Sequence, residues 1–231
     1  MKNSIPLESD QNWWWYRAKR NILDLIIQRN IKNENLDILE IGPGLGNNLK
    51  CLNKYGNLDV VEIDDKFLNY IKEKNNNLVN NFYKDISELN KEYDLIVLLD
   101  VVEHIEFPKR FLNNLNKFLK QDGKLIIGVP SLKFLWSKHD EELKHFNRYN
   151  WKELCDVCSS YKLKKKYGFN YLMILARYIQ IKFTKNIHTT NETAYFTNEV
   201  LYFISRIEHI LRKININPKK GISIIGLFSK I

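Results

Sequence analysis

The chain contains few of the residues that build disulfide scaffolds and fibrous proteins. Its 231 residues include three cysteines, five prolines and nine glycines. Three cysteines cannot form a disulfide framework, and Cys155 and Cys158 lack the second pair or spaced histidines that a zinc site needs. No apolar run approaches the roughly 20 residues of a membrane-spanning helix. The sequence therefore predicts a globular protein without a disulfide framework or a membrane span.

Basic residues outnumber acidic ones, but they do not cluster. Lys and Arg total 36 and Asp and Glu total 27, which gives a formal net charge of +9. Such a charge suits a nucleic acid or a membrane surface, yet the lysines are scattered and the only tight basic run is at 162–166, so we expect no nucleic-acid partner. The N-terminus lacks the pattern of a secretion signal. We expect a cytoplasmic protein with one domain over residues 1–231.

Strand and helix patterns alternate along most of the chain, as in a parallel sheet built from βαβ units. The apolar run Asp94–Leu99 predicts a central buried strand, and Pro108–Lys120 predicts a helix with one apolar face. The other predicted strands are Leu36–Ile41, Leu58–Ile63, Leu78–Tyr83, Lys124–Val129, Leu163–Phe169 and Ile222–Ile231, and the other helices are Asn47–Tyr55, Lys66–Lys74 and Trp151–Tyr161. The fold class is therefore α/β.

Two helical regions fall outside this alternation. Residues 11–30 predict a helix within an N-terminal segment, 1–35, whose adjacent aromatics cannot all face one core because successive helical residues point about 100° apart. These aromatics either pack on a neighbouring element, which we expect for two of the four, or form a lid over cofactor and substrate. The residues expected to contact substrate from such a lid are Tyr16 and Arg17. An insertion over 170–218 holds two more helical patterns. The first of these helices could lie on a membrane surface or cover the core as a cap. We favour the cap.

A glycine-rich turn follows the first predicted strand. Gly42, Gly44 and Gly46 come directly after acidic Glu40 and an apolar run, in the pattern G-x-G-x-G. Glycine allows positive φ and lets a ligand approach the backbone closely. The dinucleotide fingerprint has different spacing, G-x-G-x-x-G. The turn therefore predicts a nucleotide-type cofactor, and its spacing leaves the choice of cofactor open.

Acidic residues also follow the next two predicted strands. Asp64 ends the second strand, where a carboxylate can bind both hydroxyls of a ribose, and Asp85 precedes Ile86 after the third. A series of acids with a glycine turn and no phosphate-binding lysine suits a cofactor without phosphates. S-adenosylmethionine is such a cofactor, since it has a ribose diol, an adenine and a cationic sulfonium.

With these motifs, the sequence resembles the class I S-adenosylmethionine-dependent methyltransferases over essentially the whole chain, and most of all the group related to ubiquinone-biosynthesis O-methyltransferases. The resemblance implies a Rossmann-like, mostly parallel seven-stranded sheet in the order 3-2-1-4-5-7-6, with helices on both faces and an insertion before the last strand. It further implies that Gly42 and Gly44 pass around the methionine moiety, that Asp64 binds the ribose, and that Asp85 and Ile86 contact the adenine. Glu40, Gly46 and Asp100 are assigned to the same cofactor site.

Candidate catalytic residues follow the fourth and fifth strands. If the segment after the fourth strand is helical, Asp100, Glu103 and His104 share one face, because they are spaced i, i+3 and i+4. The segment after the fifth strand adds His139 and His145 as candidate catalytic groups. The substrate candidates there are Trp136, Arg148 and Tyr149.

Three interpretations of these groups stay open. In related methyltransferases an E-x-x-E-H motif with later groups holds a divalent ion, which here would be bound by Asp100, Glu103, His104 and His145. Without a metal, His104 or His139 is the general base. In a structural interpretation, Glu103 and His104 brace a helix and Arg148 pairs with Glu141 or Glu142.

The sequence thus predicts an S-adenosylmethionine-dependent O-methyltransferase that acts on a small-molecule, saccharide or lipid-linked acceptor. An RNA 2′-O-methyltransferase is one alternative, which the positive charge favours and the lack of a compact basic stripe disfavours. The other alternative is a partner protein that binds S-adenosylmethionine without catalysis. The sequence specifies neither the acceptor nor the oligomeric state.

Overall fold

A single seven-stranded sheet forms the centre of the computed structural model, which describes residues 12–183 and 191–231. Its strands are β1 Leu36–Ile41, β2 Gly56–Val61, β3 Asn81–Tyr83, β4 Tyr93–Leu99, β5 Leu119–Pro130, β6 Tyr161–Phe169 and β7 Ser223–Lys230. Their order is β3-β2-β1-β4-β5-β7-β6, and β7 runs antiparallel to both of its neighbours. The expected α/β class and strand order are confirmed.

Eight α-helices accompany the sheet in the described residues. They are α1 Trp14–Asn30, α2 Leu49–Leu52, α3 Asp65–Asn75, α4 Pro108–Leu115, α5 Lys138–Glu142, α6 Trp151–Val157, α7 Ile174–Phe183 and α8 Asn191–Lys213. α7 and α8 lie between β6 and β7, where an insertion is expected. Residue 11 of the predicted N-terminal helix and residues 184–190 of the insertion lie outside the described residues.

Some predicted boundaries are wrong, for local reasons. α2 stops four residues after it starts, because the chain tightens into a 3-10 turn at Asn53–Tyr55 before β2. β3 begins at Asn81 because the Leu78 N–H instead closes a turn on the Asn75 carbonyl. β5 begins five residues early, because Leu119 already pairs with Tyr93 across an irregularity in the register.

Apolar side chains cover both faces of the sheet. On one face, residues of β1, β2 and β4 pack with α1, α2 and α3, and on the other, alternate residues of the same strands pack with α4 and α6. This alternation follows from the two-residue period of side chains along a strand. Both faces are therefore buried, as a parallel sheet requires. Of the described helices, none is long and apolar enough to cross a membrane.

Candidate active site

The predicted cofactor residues lie along one edge of the sheet. Strands β1 to β4 run parallel, so their carboxyl ends meet at this edge. The glycine turn follows β1, Asp64 and Asp85 follow β2 and β3, and Asp100 follows β4. In open α/β sheets, ligands bind outside the carboxyl ends of the strands.

The glycine turn forms an open cradle. Gly42, Gly44 and Gly46 have φ values of 66°, 54° and 76°, a region that favours glycine. A Cβ at Gly44 would meet no atom within 4 Å, whereas one at Gly42 would lie 2.7 Å from a methyl carbon of Val101. Gly42 therefore allows the turn to pack on the end of β4, and Gly44 leaves space that a bound cofactor would fill.

Two buried glutamates support this turn. Glu62 Oε2 accepts the Gly44 N–H at 2.9 Å, and Glu62 Oε1 accepts the Asp64 N–H at 3.0 Å. Glu40 accepts a hydrogen bond from the Asn48 side chain at 2.8 Å, and its other carboxylate oxygen is buried without a partner. Burial raises the pKa of Glu40 to about 7. Glu62 thus links the glycine turn to the end of β2. Glu40, near the end of β1, bonds Asn48, which follows the glycine turn.

Asp64 and Asp85 are exposed at the same edge and cap helical turns. Asp64 Oδ1 accepts the N–H groups of Lys66 and Phe67 at the start of α3, and Asp85 Oδ1 accepts that of Ser87. The bonds to Ser87 lower the pKa of Asp85. The capping bonds of Asp64 use its Oδ1. The roles of Asp64, Asp85 and Ile86 toward ribose and adenine stay predictions.

The turn after β4 differs from the one expected. Asp100 has a φ of 58°, and the helical turn that follows is a 3-10 turn at Val102–His104. Asp100 therefore does not share a helical face with Glu103 and His104, and that expectation is wrong. Its carboxylate instead forms an ion pair with Lys19 of α1.

Glu103, His104 and His145 converge beside this turn. One ligand atom from each residue lies within 4.8 Å of the others, and the two imidazole rings stand edge to face with centroids 4.7 Å apart. The backbone holds the group together, because the Phe146 N–H donates to the Glu103 carbonyl at 2.7 Å. We call these three residues the β4 cluster.

Burial differs among the three residues of the β4 cluster. Glu103 is 1% exposed and its Oε2 has no hydrogen-bond partner, whereas His104 is exposed and His145 is half-buried. Desolvation raises the pKa of Glu103 to about 7, although Lys19 opposes the shift. Partial desolvation of the His104 ring, with His145 beside it, lowers the pKa of His104. The lowered pKa favours the neutral imidazole of His104, and the residue as a whole is exposed.

A buried ion network holds the segment that carries His145. Asp140 is fully buried, and its Oδ1 lies 2.9 Å from both His145 Nδ1 and Arg148 Nε. Arg148 also donates to Asp140 Oδ2 and to the Ser131 carbonyl, each at 3.0 Å. The expected pairing of Arg148 with Glu141 or Glu142 is therefore wrong.

The remaining predicted residues lie outside the β4 cluster. His139 is exposed on α5, Trp136 is 36% exposed, and the buried Tyr149 donates its N–H to the carbonyl of Pro130 at the end of β5. Arg17 forms an ion pair with Glu199 at 2.5 Å and its guanidinium lies 3.5 Å from the Tyr202 ring centroid, so it joins α1 to α8. Tyr16 is half-buried on α1.

Sequence reasoning missed Lys19, Glu62 and Asp140. Lys19 had a visible signal: it falls on the apolar stripe of α1 between Trp15 and Ile22, and it is 4% exposed. A lysine in such a stripe is nearly always paired. Asp140 precedes His145 and Arg148 by five and eight residues, a spacing that predicts no contact by itself.

Comparison with known proteins identifies the family. A family model described as "Methyltransferase domain" matches residues 13–172, which include the glycine turn, the β4 cluster and the Asp140 network. The chain belongs to the methyltransferase domain family. α8 and β7 lie beyond the matched segment.

Two curated relatives of this methyltransferase-family chain are both named ubiquinone biosynthesis O-methyltransferase. The ubiquinone biosynthesis O-methyltransferase of Rickettsia bellii is 38% identical over 150 residues, which cover 55% of this chain and 62% of that protein. The mitochondrial protein of that name from Dictyostelium discoideum is 26% identical over 126 residues, covering 44% of this chain and 37% of that protein. The chain thus matches between 37% and 62% of the length of these two relatives.

A solved structure agrees at the level of the fold. Coclaurine N-methyltransferase bound to N-methylheliamine and S-adenosylhomocysteine is 16% identical, covers 90% of this chain and 71% of that chain, and has a TM-score of 0.56. Together the matches confirm the predicted family, class I S-adenosylmethionine-dependent methyltransferases related to the ubiquinone-biosynthesis group, and its cofactor.

Proposed function

We propose that the chain transfers a methyl group from S-adenosylmethionine to a hydroxyl of a small-molecule, saccharide or lipid-linked acceptor. The observation that carries this proposal is the placement of two sites. The open cradle at Gly44 and the exposed residue His104 both lie past the carboxyl ends of adjacent strands, β1 and β4. Val101, which touches the Gly42 position, lies three residues before His104. A methyl donor and an acceptor could thus be held next to each other.

The residues at the cradle fit the cofactor. The backbone at Gly42 and Gly44 would hold the methionine moiety, the carboxylate of Asp64 would accept the ribose hydroxyls, and Asp85 with Ile86 would contact the adenine. The cofactor supplies a methyl group activated by a cationic sulfonium. Methyl transfer is an in-line displacement, so the protein's main contribution is to orient the acceptor and remove its proton.

His104 is the group that would remove the acceptor proton. The residue is exposed, and its lowered pKa favours the neutral imidazole that a general base requires. His145 holds one edge of that ring and is itself held by Asp140. The Asp140 network would therefore fix the position of the base. His139 is a weaker candidate, because it lies outside the β4 cluster.

The β4 cluster also has the composition of a metal site. One carboxylate and two imidazoles suit a divalent transition metal ion, and the unpartnered Oε2 of Glu103 is available as a ligand. The fourth expected ligand, Asp100, is engaged by Lys19. An ion held by Glu103, His104 and His145 would supply Lewis acidity toward the acceptor oxygen. Turnover measured after exhaustive chelation decides between the metal-dependent and the metal-free version. If turnover is lost and one added metal restores it, the reaction requires the ion. Undiminished turnover excludes the metal-dependent version.

Exposed apolar residues on α7, next to the segment that follows β5, support an amphiphilic acceptor. On α7, Leu175 is 68% exposed and Ile179 48%, and the Tyr178 ring lies 6.0 Å from that of Phe134. The same helix reaches the segment after β5, because Arg177 donates to the Ser137 hydroxyl at 3.5 Å. A saccharide with a lipid tail could place its tail on α7 and its hydroxyl group near His104.

A mass-spectrometric screen tests the proposal. Lipid, saccharide and RNA extracts are incubated with the protein and S-adenosylmethionine, and products heavier by one methylene group are sought. We expect such a product from the lipid or saccharide fraction. Methylation of RNA alone would favour the 2′-O-methyltransferase alternative. Tight binding of S-adenosylhomocysteine with no product in any fraction would favour the non-catalytic partner.

A further inference from the structure

The first helix places a buried cation beside the turn after β4. Lys19 lies on the stripe of α1 that holds the buried residues Ala18 and Ile22. It forms an ion pair with Asp100, the residue directly after β4, and the two side chains are 5% and 34% exposed. The lysine therefore approaches the carboxylate from the protein interior, while part of the carboxylate stays open at the carboxyl edge of the sheet.

Both partners of this ion pair are held in place by their neighbours. On α1, Arg17 forms an ion pair with Glu199 at 2.5 Å, and Arg29 donates to two carbonyl groups at the end of α8 at 2.8 and 2.7 Å. The N–H of Asp100 donates to the Gly128 carbonyl at 2.9 Å, which ties the turn to β5. The position of the ion pair is thus set by α8 on one side and by the sheet on the other.

The turn that carries this ion pair lies between the expected cofactor and acceptor sites. A methyl carbon of Val101 is 2.7 Å from the position that a Cβ at Gly42 would take, so the glycine turn packs on the residue next to Asp100. Glu103 and His104 of the β4 cluster follow in the next helical turn. This inference rests on the proposed function, in which the sulfonium must lie between these two groups so that its methyl group can reach the acceptor.

The proposed reaction changes the charge of the cofactor. The carbon–sulfur bond breaks, the sulfur keeps the electron pair, the carbon bonds to the acceptor oxygen, and the acceptor proton goes to the base. A cationic sulfonium therefore becomes a neutral thioether. A carboxylate without a counter-charge at this place would stabilise the reactant cation more than the transition state, and such binding slows a reaction.

Lys19 supplies the missing counter-charge. We propose that Lys19 compensates the charge of Asp100 at the cofactor site, and so limits how much more tightly the protein binds S-adenosylmethionine than S-adenosylhomocysteine. Lys19 is a positioning residue, because it acts through Asp100 and does not contact the reacting atoms. Its effect should appear in cofactor binding, without any acceptor present.

Titration calorimetry at low ionic strength, where charges are screened least, tests this role. It measures the affinities for S-adenosylmethionine and S-adenosylhomocysteine, and we follow their ratio. In Lys19→Met the ratio should shift toward S-adenosylmethionine at least about 10-fold, because one positive charge near the sulfonium is removed. Asp100→Asn should shift it in the opposite direction, because the lysine then repels the sulfonium. Lys19→Arg keeps the charge and should leave the ratio within about two-fold.

The opposite signs separate a role of charge from a role in folding alone. A residue that only stabilises the fold would change both affinities together, and the thermal unfolding midpoint reports such a loss. Should Lys19→Met fail to fold, Asp100→Asn, at a partly exposed position, still tests the sign. An unchanged ratio in folded variants, or a shift of the same sign in both, overturns the proposal for Lys19 alone. A wild type that binds neither cofactor overturns the proposed function as well.

Discussion

Lys19 and Asp100 form an ion pair that joins the first helix to the turn after β4. The lysine is 4% exposed and its ammonium also lies 5.0 Å from the Trp15 ring centroid. Burial lowers the pKa of Lys19 to about 7, while the negative charge of Glu103 opposes that shift. The N-terminal helix therefore contributes a buried cation at the boundary between the expected cofactor and acceptor sites.

Replacing this cation should impair the proposed reaction more than cofactor binding. In Lys19→Met, Asp100 and Glu103 lose the positive charge beside them, and we expect kcat to fall at least about 10-fold. The affinity for S-adenosylhomocysteine, measured by titration calorimetry, should change less. Lys19→Arg keeps the charge and is the matched control. Equal losses in the two variants would show that shape, rather than charge, matters at this position.

Asp140 should contribute much more to stability than its exposed neighbours. Asp140→Asn leaves Arg148 and His145 without a buried anion, and we expect the free energy of unfolding to fall by about 3–5 kcal/mol. Glu142→Gln changes an exposed carboxylate on the same helix and should cost less than about 0.5 kcal/mol. Urea unfolding measures both. A small loss for Asp140→Asn would mean that the network does not hold this segment.

Two glycines of the turn should respond differently to substitution by alanine. Gly44→Ala places a methyl group in open space, so we expect a stability loss of only about 1–2 kcal/mol from the positive φ. Binding of S-adenosylhomocysteine should weaken more than about 10-fold, because the methyl group fills the cradle. Gly42→Ala would force a contact with Val101 and should lose more stability. Unchanged affinity in a folded Gly44→Ala protein would place the cofactor elsewhere.

Glu40 should make stability depend on pH. Its pKa is raised from 4.5 to about 7 by burial, so the folded state holds a proton that the unfolded state releases. The free energy of unfolding therefore falls as pH rises from about 4.5 to about 7. Glu40→Gln mimics the protonated acid, still accepts from Asn48, and should remove about 1–3 kcal/mol of that decline. Urea unfolding between pH of about 5 and about 8 tests this; parallel curves for the two proteins would contradict it.

The sequence predicted the α/β class because its signals are local, whereas the strand order was implied by the family resemblance. The alternating strand and helix patterns and the punctuating turns lie within short windows, and β4 is a single apolar run. Boundaries failed where pairing between distant segments decides them, as for β5, whose first residue, Leu119, pairs with Tyr93. No window of sequence contains that pairing.

The candidate site was less predictable than the fold. The glycine turn and the acidic residues after β2 and β3 can be predicted from the sequence, because each directly follows a predicted strand. The structure alone shows that Lys19 reaches Asp100, that Glu62 ties the turn to β2, and that Asp140 binds His145 and Arg148. Those contacts depend on side-chain directions at a sheet edge. Asp100 has a positive φ and is not helical, so it does not share the helical face with Glu103 and His104 that the sequence spacing suggested.

The most direct test of the account is the rate of methyl transfer by His104→Ala relative to the wild type. The rate is measured with the acceptor found in the screen, and the affinity for S-adenosylhomocysteine is measured in parallel. We predict that kcat falls about 100-fold or more, as for loss of a general base or a metal ligand, while the affinity stays within about two-fold. A kcat equal to that of the wild type would contradict the assignment of the β4 cluster as the catalytic site.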